Sequence, residues 1–291
     1  MRPATAAAVC VLLSAAGVRA QTPDTDIYLA PLRLREGWVA LGAPRNVTER
    51  AGYDNQPYFT ADGRAILYTA RIDDKQTDIF RYDLRTGKTS RLTNTPESEY
   101  SPTPTRGGFS VVRVERDSAQ RLWWFDSHGG NPRLLLPDLK PVGYHAWLGG
   151  QQLALFVLGS PATLQLASLS NSHPDVVAQN VGRAVQKIPG WNGVSFVQRM
   201  DDSTAFVERV GSDKAVKSIA KLLPGAEYHA WTQRGALLGT AGSKVYEWTP
   251  IDGGTWRLVI DLSQRGLRLS RIAVSPRGDW VALVGERVQS D

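Results

Sequence analysis

Tyr53-Asp54-Asn55-Gln56-Pro57-Tyr58-Phe59-Thr60-Ala61-Asp62-Gly63, followed by Arg64-Ala65-Ile66-Leu67-Tyr68-Thr69, is the stretch that decides the fold. Asp62-Gly63 is a hairpin signal, because the turn needs a positive φ and glycine adopts it without a Cβ clash. It joins two short runs rich in aromatic and β-branched residues, which suit strands. Asp78-Ile79-Phe80-Arg81-Tyr82-Asp83 then supplies a third run. A turn at Thr86-Gly87-Lys88 leads into a fourth, Ser90-Arg91-Leu92-Thr93. Four short strands with tight turns make one propeller blade.

The unit recurs along the chain. Glycines at 63, 107, 149, 193, 235 and 278 are spaced by 44, 42, 44, 42 and 43 residues, a period expected for four-stranded blades. Third strands recur at Leu122-Trp123, Leu164-Gln165, Ala205-Phe206 and Val245-Tyr246, and fourth strands at Arg133-Leu134, Asp175-Val176, Ser218-Ile219 and Arg257-Leu258. The sixth unit offers two strands, Leu269–Val274 and Trp280–Val284. Asp26–Ala30 matches the third-strand pattern and Arg45–Thr48 the fourth. The reading is therefore an all-β, six-bladed β-propeller with four antiparallel strands per blade, its last blade closed by N-terminal strands. Closure of this kind removes two exposed sheet edges. The expected blades are 53–96, 97–140, 141–182, 183–225, 226–266, and 267–286 joined with 26–50.

Repeats reading Gln-Pro-Tyr-Phe-Thr-Ala-Asp-Gly, Asp-Ile-Phe-Arg-Tyr-Asp, Gly-Lys and Arg-Leu-Thr resemble those of the TolB-type, WD40-like periplasmic propellers. Residues 53–93 carry the match best. The resemblance implies the fold and a mouth presented to an envelope partner, without specifying an activity. TolB also carries an N-terminal α/β domain, and a propeller without it is the expectation for this chain. Peptidases that join a propeller to an α/β-hydrolase domain need a Gly-x-Ser-x-Gly elbow. None occurs in the sequence.

The first twenty residues read differently. Arg2 precedes an apolar run from Ala4 to Gly17, and Val18-Arg19-Ala20 ends on a small residue, the layout of a signal peptide cleaved after Ala20. The expected address is periplasmic or secreted, with no membrane insertion after cleavage. Loss of Arg2 and Arg19 takes the net charge from +6 to +4, and loss of Cys10 removes the single cysteine. Disulfide and thiolate chemistry are then excluded. No Lys/Arg run is interleaved with aromatics, so nucleic acid is not an expected partner. A monomer is expected.

Ligands of propellers gather where loops enter the innermost strands. Around the ring those segments hold Asp54 and Asn55; Glu97, Glu99 and Tyr100; Tyr144 and His145; Lys187; Tyr228 and His229; and Arg271. These are the candidate binding residues. Tyr144-His145-Ala146-Trp147 is repeated as Tyr228-His229-Ala230-Trp231, 84 residues on, with histidine where Pro57 and Pro102 stand in other blades. A structural reading has the imidazoles hydrogen-bonded within the channel wall. A chemical reading makes His145, His229 and Glu99 catalytic or divalent-metal candidates, since imidazole and carboxylate suit both roles. No other cofactor is predicted.

Among the remaining motifs, Asp62, Asp78 and Asp83 suit turns and blade edges, and Trp123-Trp124-Phe125 suits a packed strand. Asn46-Val47-Thr48 is a glycosylation sequon placed in a closing strand. Two functions follow. One is a binding module for an envelope protein or a small polar ligand at the channel mouth. The other is a hydrolase or lyase on a polar or sugar-derived substrate, metal-assisted in the manner of propeller lactonases and lyases.

Overall fold

The computed structural model describes residues 23–73, 76–250 and 254–288; the expected leader and its cleavage site at Ala20 lie outside the described residues. Three strands precede the first repeat: β1 (Thr25–Arg35), β2 (Trp38–Leu41) and β3 (Arg45–Asn46). Blade one is β4 (Asp54–Phe59), β5 (Ala65–Arg71), β6 (Thr77–Asp83) and β7 (Thr89–Arg91). Blade two is β8 (Ser98–Thr105), β9 (Gly108–Val114), β10 (Gln120–Asp126) and β11 (Arg133–Leu135). Blade three is β12 (Val142–Gly149), β13 (Gln152–Val157), β14 (Thr163–Ser168) and β15 (Asn171–Gln179). Blade four is β16 (Val181–Lys187), β17 (Gly193–Arg199), β18 (Ala205–Gly211) and β19 (Lys217–Lys221). Blade five is β20 (His229–Trp231), β21 (Leu237–Ala241), β22 (Lys244–Trp248) and β23 (Trp256–Asp261). Blade six runs from β24 (Leu267–Val274) and β25 (Trp280–Arg287) to β1 and β3.

All six sheets are antiparallel throughout, as a run of tight hairpins dictates. The ring is shut by β1 against β25, paired from Thr25↔Glu286 to Pro31↔Trp280. β3 adds the fourth strand through Tyr28↔Asn46 and Leu29↔Arg45. Beyond Pro31, β1 folds back on β2 in a hairpin that the repeat did not announce.

The apolar core is not central. Six clusters each span one blade junction. One joins Leu67 and Ile79 to Phe109, Val111 and Phe125 of the next blade. Another joins Ile27, Leu29 and Ala282 to Phe59, Ile66 and Tyr68 across the closure. A second strand is thus buried on both faces, and β5 reads Ala-Ile-Leu-Tyr-Thr-Ala with every one of these residues buried. The outermost β7 is fully exposed. Wedging the core between blades leaves the axis free for a channel.

Hairpin chemistry follows the sequence at the first blade: Gly63 has φ 64°, and Asp62 accepts Thr60 Oγ1 and the Arg64 N–H. Blade four differs. Its turn is built on Gly190 (φ 70°), while Gly193 already opens β17. The turn spans Ile188 to Gly193 as that of blade one spans Thr60 to Ala65, and what differs is the pairing: between Val181 and Val185 four steps along β16 oppose two along β17. Asn46 of the sequon donates to Asp26 Oδ2 at 2.7 Å, and its Oδ1 accepts the Thr48 and Glu49 N–H groups. Its amide is therefore committed to closing the ring.

Candidate functional site

The inner strands β4, β8, β12, β16, β20 and β24 line a channel with two mouths. The mouth at their N-terminal ends is a cavity of about 420 Å³ lined by Tyr53, Asn55, Tyr144, Arg183, Glu227, Tyr228 and Arg271, among others. Below it lies a throat of about 60 Å³, shared by Tyr144, Arg183, Tyr228 and Arg271 and lined further by Gln56, Ser101 and His145. The opposite mouth, about 300 Å³, is lined by Phe59, Lys187, Trp231 and Pro276 and their neighbours.

Arg271 holds the first mouth together. Its Nη2 donates to Tyr144 Oη at 2.8 Å, and its guanidinium carbon stands 4.0 Å from the centre of the Tyr228 ring and 5.0 Å from that of Tyr144. These are cation–π distances. Burial pushes the Tyr228 hydroxyl up to about 12 and raises that of Tyr53 as well, against the attraction of Arg271. Both phenols therefore stay neutral beside the cation at ordinary pH. Around them, Glu227 faces Arg199 and Arg183 at 3.6 and 3.9 Å, and Glu286 pairs with Arg268 at 2.5 Å.

The two repeated words share a second serine-centred arrangement. Ser110 Oγ, on β9 of the preceding blade, accepts the Trp147 indole N–H at 2.9 Å and lies 2.6 Å from His145 Nε2. Ser195, on β17, does the same for Trp231 at 2.8 Å and His229 at 2.7 Å. Each hydroxyl thus bridges an indole and an imidazole, and Ser110 Oγ also donates to the Thr103 carbonyl at 3.3 Å. Both imidazoles are buried, and that burial alone pushes each pKa down to about 3. Neither Nδ1 has a hydrogen-bond partner among the described residues.

Several candidates are used by the scaffold. Asp54 is fully buried and takes Arg50 Nε at 3.0 Å and Nη2 at 2.6 Å; burial raises its pKa despite that partner. Asn55 donates to Thr25 Oγ1 at 3.3 Å while lining the mouth. Glu99, also fully buried, accepts Thr93 Oγ1 at 3.1 Å, Thr95 Oγ1, and Arg113 Nε at 3.2 Å. Burial first, and the nearby Asp78 second, push it up to about 8. Glu97 is half-buried, 3.9 Å from both Arg113 and Arg116. Tyr100 packs against the apolar cluster between blades two and three.

Lys187 must be moved. It donates to the Leu148 and Trp191 carbonyls and lines the opposite mouth. The residue that blade four presents beside Tyr144 and Tyr228 is Arg183. The cause is register: Lys187 pairs with Val194 at the turn end of β16, the place that Trp147 and Trp231 hold in their blades, while Arg183 lies within the register shift near the other end. Histidine and carboxylate do not converge as a divalent-ion set either. His145 and His229 turn Nε2 toward serines of different blades, Glu99 is held by two threonines and Arg113, and no group of three or more His, Cys, Asp or Glu among the described residues could hold a metal.

Solved structures share this ring. A protein provisionally named TolB, from Agrobacterium tumefaciens, aligns with a TM-score of 0.70 at 15% identity, over 91% of this chain and 99% of that one. The fold is that of a TolB-type propeller. TolB from Acinetobacter baumannii aligns at TM-score 0.58 and 13% identity, over 91% of this chain and 65% of that one. An oligogalacturonate lyase solved with manganese aligns at TM-score 0.55 and 12% identity, over 84% of this chain and 80% of that one. A gluconolactonase from Xanthomonas campestris does so at 0.59 and 11%, over 92% and 99%. At such identities the likeness concerns the fold alone. No family model matches the sequence, and no curated protein does.

Within the TolB-type ring, Arg183, Glu227 and Tyr53 are mouth residues that sequence reasoning did not select. Tyr53 and Glu227 stood inside rim segments already marked. Arg183 carried no signal, because it lies inside the register shift of β16. Among the described residues no helix is long and apolar enough to cross a membrane.

Proposed function

We propose that the chain is an exported propeller acting as a binding module, taking an envelope protein segment or a small polar ligand at the mouth around Arg271. The observation that carries this reading is the Arg271–Tyr144–Tyr228 cluster, an amphipathic surface of two aromatic hydroxyls and one cation at the floor of a cavity. Tyrosine and arginine are the residues that dominate binding surfaces, because they bury large area while keeping directional polar groups. A cavity of about 420 Å³ lies in the size range of ligand sites.

The chemical reading leaned on His145 and His229. Both imidazoles are neutral and buried, each set against a serine of the preceding blade, so they support the blade junctions. The test is capture from envelope extract, together with ligand-induced thermal shift, using wild type, Tyr53→Ala and Glu227→Ala. The reading expects both variants to weaken capture or shift while melting as the wild type does. Unchanged binding in both variants removes the mouth as the contact surface.

A further inference from the structure

Three arginines line the mouth, Arg183, Arg268 and Arg271, and Arg199 stands beside them against Glu227. Two glutamates oppose them, and both are engaged elsewhere: Glu286 with Arg268, and Glu227 with Arg199 and Arg183. Arg271 is left without an acidic partner among the described residues. Tyr144 Oη accepts one of its N–H groups, and a guanidinium has five. The tyrosines cannot compensate the charge, since burial keeps Tyr53 and Tyr228 protonated. No nitrogen of Arg271 is both buried and unpartnered, so its remaining N–H groups stay within reach of the cavity, where an anion can meet them.

A second observation points the same way. Arg271 lines both the mouth and the throat, and His145 lines that throat with an unpartnered, buried Nδ1. The wall thus presents a guanidinium with free N–H groups and an unpartnered imidazole nitrogen, and no carboxylate answers Arg271.

We infer that the mouth is a carboxylate receptor: the anionic end of a ligand enters first and pairs with Arg271 at the boundary of mouth and throat, flanked by Tyr144 and Tyr228, with His145 in the throat wall. The planar guanidinium suits the two oxygens of a carboxylate. This rests on the binding reading above and names its chemistry. The carboxylate can belong to a free organic acid or to the acidic residue or C-terminus of a protein segment, and the probes separate the two.

The experiment is calorimetric titration of the folded protein with acetate, benzoate, acetamide, benzamide, inorganic phosphate, and a short peptide in free-acid and C-terminally amidated forms. Carboxylates are expected to bind while their amides do not. Arg271→Gln is expected to weaken binding at least about tenfold, the loss of one hydrogen bond to a charged group. Arg277→Gln, an exposed arginine away from the first mouth, is expected to leave it unchanged. Binding of the small acids points to a free acid; binding of the free-acid peptide alone points to a protein segment. Equal binding of acids and amides, binding of phosphate without carboxylates, or no carboxylate binding to wild type overturns the inference. So does a folded Arg271→Gln protein that binds as wild type does. If Arg271→Gln does not fold, Arg271→Lys keeps the charge without the fork, and the acid–amide comparison on wild type stands by itself. Partner capture lost in Tyr53→Ala and Glu227→Ala but kept in Arg271→Gln would remove this inference and leave the binding reading intact. Capture indifferent to all three would remove the binding reading, while the titration still judges the receptor.

Discussion

At Ser110 and Ser195 one hydroxyl serves two side chains of the next blade, an indole and an imidazole. The serines and the imidazoles are buried, so an alanine there removes the partner of an indole and leaves a buried imidazole nitrogen unpaired. Ser195→Ala is expected to lower stability by about 1–3 kcal/mol, the cost of an unsatisfied buried polar group, read from the urea midpoint. An unchanged midpoint would show that the hydroxyl is dispensable. The imidazoles also predict a pH dependence. They are neutral in the fold, with pKa pushed down to about 3 by burial from an ordinary 6.5. The unfolded chain therefore takes up protons first as pH falls. Their contribution is complete above pH 6.5 and declines toward pH 3. In the double variant His145→Gln, His229→Gln the urea midpoint should fall less between those limits than in wild type. A slope as steep as that of wild type would place its source in other groups.

At the scale of elements, a hydrophobic period of two and a hairpin turn are enough to place most strands, because both are local. The runs at Ile79-Phe80, Leu122-Trp123 and Val245-Tyr246 fall where third strands stand. What failed was alignment along an irregular strand: in blade four β16 shifts register between Val181 and Val185, which leaves Arg183 at the first mouth and Lys187 at the turn end. Bulges are equally invisible. Gln56 and Ser101 sit in the left-handed region at φ 57° and 54°, where the inner strands of blades one and two shift register. Gln56 Oε1 accepts the Ser101 N–H at 2.6 Å and Thr69 Oγ1 at 3.0 Å, which holds the two strained residues together. The β1–β2 hairpin is likewise held from a distance. Buried Glu247 of blade five accepts the Val39 N–H at 3.1 Å and Arg257 Nη2 at 2.6 Å. Glu247→Ala is expected to release the hairpin, with hydrogen exchange at Val39 accelerated while the first blade keeps its protection. Equal exchange in both proteins would show that packing alone docks it.

For the whole molecule, closure is the decisive contact. β1 supplies the third strand of a blade whose first two strands lie at the other end of the chain. A chain starting after Leu41 would leave β25 paired on one side only, with β24, and open an edge along its other side. It is expected to lose its single cooperative melting transition and to associate, seen as a broadened thermal curve and a larger species on size exclusion. A compact monomer with an unchanged melting temperature would deny that role to β1.

The repeat period, the hairpin chemistry and the split sixth blade were all in the amino-acid order, because they depend on neighbours a few residues apart and on a pattern six times repeated. The Tyr-His-Ala-Trp words were visible too. Their meaning was not, since the serines that answer them lie about 35 residues earlier on an adjacent blade. Arg271 stood on the rim as one charge among several. Only the ring brings it against Tyr144 and Tyr228, 127 residues away in the first case, and leaves it without a carboxylate. Local sequence decides strands and turns; which charges are paired is decided by which blades the closed ring sets side by side.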